Sequence, residues 1–388
     1  MLWSNRAMLR LLIVNTLVEV KGMNYEPLNR HIRLVDTRNK ENVTNEVLGI
    51  NIDKFFMPSV ANVIGTDLSK YKLISKGLFA CNPMHVGRDE RLPVALYSEE
   101  TPALVSPAYF MFEVIDTSVL DPEYLMMWFR RSEFDRICWL KTDGSVRGGI
   151  TWDDIGRMEV PVPSIEEQQK CVKAYKAITD RIALKKQIND NLEATAQAIY
   201  KETVLRADSE KQDSIYSILS VINGSPFSSE MFNSEKRGYP LVRIRDLSKC
   251  DPDIYTDEMI NKMEYVNVGD ILIGMDGEFI PHIWYGHKGV LNQRVCKVIP
   301  TRDTVHPLFL YLTLKPILAE VQRTQGGTTV IHIGKKDFDR MVCVSLTEEE
   351  HIAFSRKVLP LYNRMLENYQ EILLLSQMQT DILSLLSR

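Results

Sequence analysis

Apolar residues recur at helical spacing in two stretches of this chain, each of about 40 residues and free of glycine. The first seam follows alternating steps of four and three residues, as in a coiled coil, through Cys171, Tyr175, Ile178, Ile182, Lys185, Asn189, Leu192, Ala196 and Ile199. The second stretch carries two adjacent stripes, Leu359, Tyr362, Leu366, Tyr369 and Leu373 beside Val358, Leu361, Met365, Ile372 and Leu375. Helices of this length extend about 60 Å at 1.5 Å per residue. The pattern predicts two long helices that pair antiparallel.

Two polar residues, Lys185 and Asn189, interrupt the first seam near its middle. Polar residues in such a seam fix register and partner at some cost in stability, so we expect them to set the register against a largely apolar second helix. Pro360 should kink or weaken the first turns of that second helix. We expect the helix interface to contain Tyr175, Ile178, Ile182, Asn189, Leu192, Ile199, Val358, Leu361, Tyr362, Met365, Leu366, Tyr369 and Ile372.

The start of each long helix carries the same signal. Ser164 with Glu167, and Thr347 with Glu350, have the spacing of a capping box, in which the hydroxyl and the carboxylate satisfy each other's backbone N–H. Before the first cap, Met158–Pro163 reads as a strand whose two prolines confine it to a sheet edge.

The two helices end two copies of one repeat. A shift of 183 positions carries Gly144, Ile150, Asp154, Arg157, Met158, Glu166 and Glu167 onto Gly327, Ile333, Asp337, Arg340, Met341, Glu349 and Glu350. Such a period is too long for a solenoid and indicates two copies of one domain-plus-helix unit.

A mixed globular domain precedes each helix. Strands are predicted at Tyr71–Ile74, Gly77–Cys81 and Ala108–Val114, and later at Tyr239–Leu247, Val268–Gly274 and Val295–Ile299. The strand at Tyr239–Leu247 should be half-buried with a basic outer face. Asp121-Pro122 opens a helix through Phe134, and His306-Pro307 opens its counterpart. We therefore predict an α+β fold: two similar mixed α/β domains separated by two long helices that pair as an antiparallel coiled coil, with a pseudo-twofold internal repeat.

The predicted boundaries follow from this order. The domains are residues 23–143 and 208–326, and the helical regions are residues 144–207 and 327–388. Residues 1–22 carry two arginines and a short apolar run but no cleavage site, and the run is too short to span a bilayer. We interpret them as a leader or mis-assigned start before Met23, outside the fold.

Composition narrows the class of protein. The 388 residues are 45% hydrophobic and 25% charged, which is ordinary for a globular chain. The net charge of −4 excludes binding of nucleic acid by bulk charge, so any such contact must come from local basic surfaces or from a partner. The six cysteines lie far apart without a CxxC pair, which favours a reducing, cytoplasmic compartment.

Candidate nucleic-acid contacts lie on predicted loops in the first domain. In the second domain they lie on the predicted strand with a basic outer face and in the segment between two later strands. Arginine reads guanine and asparagine reads adenine through paired hydrogen bonds at base edges. The first domain offers such side chains in two clusters, around residues 30–40 and 82–91, and the second domain does so beside its predicted strands. From these we choose Arg38, Asn39, His85 and Arg88, and then Arg243, Arg245, His287 and Lys288.

Familiar catalytic and metal motifs are missing from the sequence. Asn82-Pro83-Met84-His85 departs at its last two positions from the active-site loop of amino-methyltransferases, and no glycine-rich cofactor loop accompanies it. His282 and His287 lack a nearby cysteine or carboxylate pair, so they make a poor metal site. We predict no catalytic residues, no metal site and no cofactor in this chain.

Several passages resemble the specificity (S) subunits of type I restriction–modification systems. Val105–Tyr109 is similar to a strand late in that family's target recognition domains. Asn223–Phe227 with Tyr239–Leu247 resembles the opening of such a domain, and Val160–Gln168 resembles the family's entry into its long helix. The second copy departs there, with Val344-Ser345-Leu346 in place of the prolines and His351 in place of the glutamine. The resemblance covers Met23–Arg388.

The resemblance implies a non-catalytic, DNA-binding subunit. Each recognition domain would read one half of a bipartite double-stranded DNA target, and the helices would set the gap. Two modification (methyltransferase) subunits that bind S-adenosylmethionine would dock around the helices, restriction (endonuclease and translocase) subunits would supply ATP- and Mg-dependent steps, and no membrane would be involved. The main alternative is a two-domain coiled-coil scaffold that joins proteins without base readout. A second alternative is a stand-alone enzyme with an unrecognised site, which would show activity as the purified chain alone.

Overall fold

The computed structural model of the chain describes residues 24–60, 65–84, 86–142, 148–207, 211–324 and 332–386. The predicted leader, Gly144 and Gly327 lie outside these residues. The chain divides into two compact units. The first unit runs to Asp180 and also includes the chain from Gln377, and the second unit is Arg181–Ser376. Each unit therefore contains part of both long helices.

The described residues form five helices in the first half of the chain and three in the second, and each half ends in a short helix followed by a long one. Those of the first half are α1 (Val86–Asp89), α2 (Pro122–Phe129), α3 (Ser132–Leu140), α4 (Trp152–Gly156) and α5 (Ile165–Arg206). Those of the second half are α6 (Pro307–Thr324), α7 (Lys335–Phe338) and α8 (Glu348–Leu385). The helix predicted from Asp121 through Phe134 is thus two helices, the first capped by the Asp121 carboxylate with Pro122 in its first turn.

The described strands of the first unit are short and antiparallel. They are β1 (Tyr25–Pro27), β2 (Ile32–Leu34), β3 (Leu48–Ile50), β4 (Phe56–Pro58), β5 (Lys72–Ile74), β6 (Phe79–Cys81), β7 (Val94–Leu96), β8 (Ala103–Val105), β9 (Phe110–Val114) and β10 (Glu159–Pro161). The main sheet has the order β2-β9-β6-β7, and β1-β10, β3-β4 and β5-β8 form separate pairs.

The second unit repeats the main sheet and adds another. Its described strands are β11 (Gln212–Ser214), β12 (Leu219–Asn223), β13 (Phe232–Asn233), β14 (Tyr239–Val242), β15 (Tyr255–Thr256), β16 (Tyr265–Val266), β17 (Ile271–Gly274), β18 (Pro281–Ile283), β19 (Gly289–Leu291), β20 (Val295–Pro300) and β21 (Val342–Val344). The sheet β12-β20-β17-β18 has the order of β2-β9-β6-β7, while β13-β15-β14-β19-β16 has no counterpart among the described residues. The predicted similarity of the two domains is confirmed in this shared sheet.

The ends of each domain pair with each other. β1 pairs with β10, so that Glu26 lies opposite Val160, and β11 pairs with β21, so that Asp213 lies opposite Cys343. β10 belongs to a two-stranded sheet, as its prolines predict. The second copy keeps this pairing although it lacks the prolines.

The predicted helix starts are confirmed. Ser164 N donates to Glu167 Oε2 at 3.0 Å, and Thr347 N donates to Glu350 Oε2 at 2.8 Å. In each box the glutamate N–H returns a hydrogen bond to the hydroxyl. α8 continues through Pro360 because Val358 and Tyr362 on either side are buried in the core of the second unit.

The two long helices run antiparallel where they meet in the second unit. Arg181 pairs with Glu371, Lys185 Nζ donates to Asn368 Oδ1 at 2.9 Å, and Asn189 Nδ2 donates to the Met365 carbonyl at 3.2 Å. The partner number falls as the α5 number rises, which confirms the predicted direction of pairing. In the first unit, Gln379 Nε2 donates to Thr179 Oγ1 at 2.7 Å.

The surface of α8 that faces Lys185 and Asn189 is polar, so the prediction of an apolar surface opposite these two residues was wrong. Asn368 is fully buried, and its amide donates to Asn189 Oδ1 at 2.8 Å. Glu371 forms an ion pair with Lys185, in which Lys185 Nζ lies 2.9 Å from Glu371 Oε2. The apolar stripes predicted for α8 contain neither Asn368 nor Glu371. The polar side chains of the two helices meet at this place because buried polar groups such as Asn189 and Asn368 need hydrogen-bond partners.

All six cysteines are buried and free. Burial raises the pKa of Cys171 to about 11 and those of Cys250 and Cys296 to about 12. These thiols pack as small apolar groups.

Candidate nucleic-acid interface

Two loops adjoin in the second unit. Loop A is residues 243–250, between β14 and β15, and loop B is residues 284–288, between β18 and β19. The Tyr285 hydroxyl of loop B donates to the Ser248 carbonyl of loop A at 3.4 Å. The backbones come so close at Gly286 that an added Cβ would lie 2.1 Å from the Cys250 carbonyl oxygen. Close packing therefore requires glycine here and holds the loops together.

Three candidate residues are exposed on these loops, Arg245 on loop A and His287 and Lys288 on loop B. Buried Trp284 fixes loop B because its Nε1 donates to the His287 carbonyl at 3.0 Å. Lys288 Nζ lies 4.3 Å from the centre of the Tyr265 ring, a cation–π contact that orients the ammonium group. The structure thus brings these three residues onto one pair of adjoining loops.

The fourth candidate of this domain, Arg243, has a structural role. Its Nε donates to Asp246 Oδ2 at 3.0 Å, and it also pairs with Asp253 at 2.5 Å. Its backbone N–H bonds the same Asp246 carboxylate, which turns the chain into a 3-10 helix over Ile244–Asp246. For this reason the predicted strand at Tyr239–Leu247 was too long and ends at Val242. The Arg243 guanidinium is engaged within the turn that supports Arg245.

In the first domain, Arg38 and Asn39 are held by their own surroundings. The Arg38 guanidinium donates to the Lys70 carbonyl at 2.7 Å and to Asp36 at 3.0 Å. The hydrogen bond from Arg38 is the main reason why the pKa of the Asp36 carboxyl lies below its usual value. Asn39 is 0% exposed, accepts from Val43 N at 2.8 Å and donates to the Thr44 carbonyl at 3.0 Å. Its amide organises this turn and is not presented to solvent in this structure.

Arg88 stands on the short helix α1 and is exposed. Its Nε and one terminal nitrogen bind Asp89 at 2.6 and 2.9 Å. The surrounding loop is fixed by two backbone bonds, from Gly87 N to the Gly148 carbonyl and from Ile150 N to the Pro83 carbonyl, each of 3.1 Å. His85 lies outside the described residues. Within the described residues of the first domain, Arg38 and Arg88 share no hydrogen-bond partner. The candidate DNA contacts of this domain are therefore less closely grouped than those on loops A and B.

The expected helix-interface residues line both long helices. Val358, Tyr362 and Met365 belong to the core of the second unit, and Leu192, Ile199, Leu361, Leu366 and Tyr369 pack against it. Ile178, Asn189 and Ile372 are buried, and Ile182 is half-buried. Tyr175, in the first unit, lies with its ring 5.7 Å from the Arg130 guanidinium carbon.

Several residues of loops A and B were not among the candidates chosen from the sequence. Lys249 is exposed on loop A beside Arg245. Tyr285 joins both loops, and no pattern in the sequence indicates its partners. Asp246 could have been found, because an arginine followed three residues later by aspartate is a short-range pair that ends a strand.

The described residues contain neither a metal-binding cluster nor a membrane-spanning helix. No group of three or more histidine, cysteine, aspartate or glutamate side chains there could hold a metal ion. No helix in the same part of the chain is long and apolar enough to cross a membrane.

The chain matches the model of a known protein family. The profile described as "Type I restriction modification DNA specificity domain" matches residues 94–194 and 211–341, more than half of the chain. The two matched segments fall in the two copies of the repeat.

Similar proteins include specificity subunits of type I restriction enzymes. The specificity subunit of the type I restriction enzyme EcoBI, from Escherichia coli, is 35% identical over 129 residues, which are 33% of this chain and 27% of that subunit. The HindI specificity subunit, from Haemophilus influenzae, is 21% identical and aligns with 84% of this chain and 88% of its own length. The crystal structure of a type I restriction–modification S subunit from M. genitalium matches with a TM-score of 0.55 at 11% identity, over 94% of this chain and 96% of that one.

The repeat, the shared sheet order and the paired helices thus agree with the family match across both halves. The chain belongs to the family of type I restriction–modification DNA specificity proteins.

Proposed function

We propose that this chain is the non-catalytic specificity subunit of a type I restriction–modification complex and that each recognition domain reads one half of a bipartite DNA target. The observation that carries the proposal is the duplicated domain, with the same four-stranded sheet order preceding each long helix. Two copies of one reading domain match a target made of two half-sites.

In the second half-site, loops A and B would supply base contacts. Arg245, His287 and Lys288 are exposed there on a backbone held by close packing. Guanidinium and imidazole groups on a rigid support are suited to base edges, and ammonium groups to phosphates. In the first half-site, Arg88 is the exposed candidate among the described residues, and it would have to exchange Asp89 for DNA.

The paired helices would set the gap between half-sites. Arg181, Lys185 and Asn189 each meet a defined partner on α8, so one register satisfies the buried polar groups. A shift by one helical turn, about 5.4 Å, would break all three contacts together.

Partner subunits would provide the chemistry and part of the DNA contact. A net charge of −4 is low for a protein that holds a polyanion alone. Two modification subunits with S-adenosylmethionine would share the phosphates, and restriction subunits would use ATP and Mg. Six buried, free thiols are consistent with a protein that functions in the reducing cytoplasm.

The direct test is to co-express the chain with candidate modification subunits and to map adenine methylation by long-read sequencing. The expected result is one bipartite motif with a fixed gap. Exchange of residues 23–143 for those of a relative should then change one half-site and leave the gap unchanged. Partner binding without any sequence-specific methylation would instead support the protein-scaffold alternative.

A further inference from the structure

Tyr369 of α8 contacts loop B directly. Its ring stacks on that of Tyr285, with ring centres 4.4 Å apart and planes 8° from parallel. Stacked aromatic pairs add stability beyond their buried area and fix the relative orientation of the two rings. This contact therefore ties loop B to one position along the helix.

Tyr285 transmits the contact to loop A. Its hydroxyl donates to the Ser248 carbonyl, so one side chain touches α8 and both loops. The candidate reading residues Arg245 and His287 lie within three residues of these contact points. Movement of Tyr285 would displace both.

A second tyrosine of α8 holds the other side of loop B. Tyr362 precedes Tyr369 by two helical turns, and its hydroxyl donates to the Gly269 carbonyl at 2.6 Å. Gly269 N donates to the Trp284 carbonyl at 2.7 Å, and Trp284 N donates to the Asp270 carbonyl at 2.8 Å. The two tyrosines thus hold loop B from one face of the helix.

Tyr369 also lies beside the polar contacts between the long helices. Asn189 of α5 accepts a hydrogen bond from Asn368, the residue before Tyr369. Burial raises the pKa of the Tyr369 hydroxyl, and Asn189 opposes that rise. The same asparagine donates to the Met365 carbonyl. The buried polar network and the loop contact therefore lie on consecutive residues of α8, Asn368 and Tyr369.

We infer that Tyr369, assisted by Tyr362, is a positioning residue that couples the register of α5 against α8 to the loops that read the second half-site. The inference rests on the proposed function and assigns it a mechanism within the second unit. A shift of α8 by one turn would move Tyr369 farther than the 4.4 Å that separates the stacked rings. Register and base readout must then change together.

The test uses the full chain in complex with its modification subunit, on DNA libraries varied in one half-site at a time and in the gap. Domain exchange first identifies the half-site read by residues 208–326. Tyr369→Leu keeps apolar volume but removes the stack, whereas Tyr369→Phe keeps the ring. Arg364→Ala, at an exposed site on α8, serves as the matched control.

We expect Tyr369→Leu to lower discrimination in the second half-site by about tenfold, the contribution of one base contact, while the first half-site stays as in wild type. Tyr369→Phe and Arg364→Ala should keep the wild-type preference. Tyr285→Leu should reproduce the Tyr369→Leu result from the other side of the stack and serves as the second variant if Tyr369→Leu does not fold.

Equal weakening on all sequences, or unchanged discrimination in both leucine variants, would overturn the inference. Failure of the proposed function looks different, because the wild-type complex itself would then show no sequence preference. Thermal unfolding of each complex separates loss of readout from loss of fold.

Discussion

Asn368 donates a hydrogen bond to Asn189 across the two long helices at 2.8 Å, and both side chains are buried, at 0% and 1% exposure. Replacement of either residue by leucine leaves the other amide without its partner. The cost of such an unsatisfied group is about 1–3 kcal/mol. We expect Asn189→Leu and Asn368→Leu each to lower the free energy of unfolding by that amount, measured by urea denaturation.

The double variant separates stability from register. With both asparagines replaced by leucine, no amide is left without its partner amide, and stability should recover toward wild type. Gap selectivity should decline, because an apolar seam accepts more than one register. Full retention of gap selectivity in the double variant would contradict a register role for this pair.

Arg245 is expected to read a base, and Lys288 to contact a phosphate. Arg245→Ala should cost about 1–3 kcal/mol at one base position of the second half-site. Lys288→Ala should weaken binding to all sequences and reduce the salt slope by about one. Binding titrations over a range of salt and a panel of single-base variants measure both effects, and Arg243→Ala should instead appear as lost stability of loop A.

Arg88→Ala provides the matching experiment in the first half-site. If Arg88 releases Asp89 to bind a guanine, the variant should lose about 1–3 kcal/mol at a single base position there. The same substitution should leave the second half-site unchanged. A uniform loss over all sequences would make Arg88 a phosphate contact.

His351 makes stability depend on pH. Both of its ring nitrogens are buried without a hydrogen-bond partner, and burial, assisted by Arg302 and opposed by Glu350, lowers its pKa to about 4. The unfolded state, with an ordinary pKa near 6.5, binds more protons between those values. The stability that neutral His351 gives is therefore present above about pH 6.5 and is lost as pH falls toward 4.

The first copy shows how to remove this dependence. Gln168 occupies the equivalent position and bonds the Val119 and Pro163 carbonyls and Asp121 N. His351→Gln should flatten the fall in stability between pH 6.5 and 4, measured by urea denaturation at several pH values. Some slope should remain, because burial also lowers the pKa of His306 to about 4. An unchanged slope would show that His351 does not titrate on unfolding.

The first domain contains a buried ion pair, in which Lys54 Nζ binds Asp135 at 2.6 Å and also the Phe129 carbonyl. Burial lowers the pKa of the Lys54 ammonium group below its usual value, and the nearby Asp135 carboxylate opposes this shift. Asp135→Ala leaves the buried ammonium group without its counter-ion, with only the Phe129 carbonyl as a partner, and should cost about 3–5 kcal/mol. Urea denaturation measures the loss, and the milder Asp135→Asn, which keeps an acceptor, should lose less.

The parts of the fold that depend on local spacing could be predicted from the sequence. The capping boxes at Ser164 and Thr347 and the long helices follow from residues a few positions apart. Asn368 could not be predicted as the partner of Asn189, because the pairing depends on which faces meet after folding. Asn39 and Arg243 look like surface groups by residue type, but Val43 and Asp246 engage them close by in the chain. His287 and Lys288 were found as exposed loop residues, whereas their connection to Tyr369 arises only in three dimensions.

The burial of all six cysteines has a practical consequence. Thiols with pKa values raised well above neutral are protonated and shielded, so maleimide reagents should react with them slowly. A cysteine introduced at an exposed site outside the candidate DNA contacts, such as Leu140 or Met259, would then be labelled selectively without removal of the native thiols. A fluorophore pair at those two positions would measure the separation of the two compact units in solution, with and without DNA.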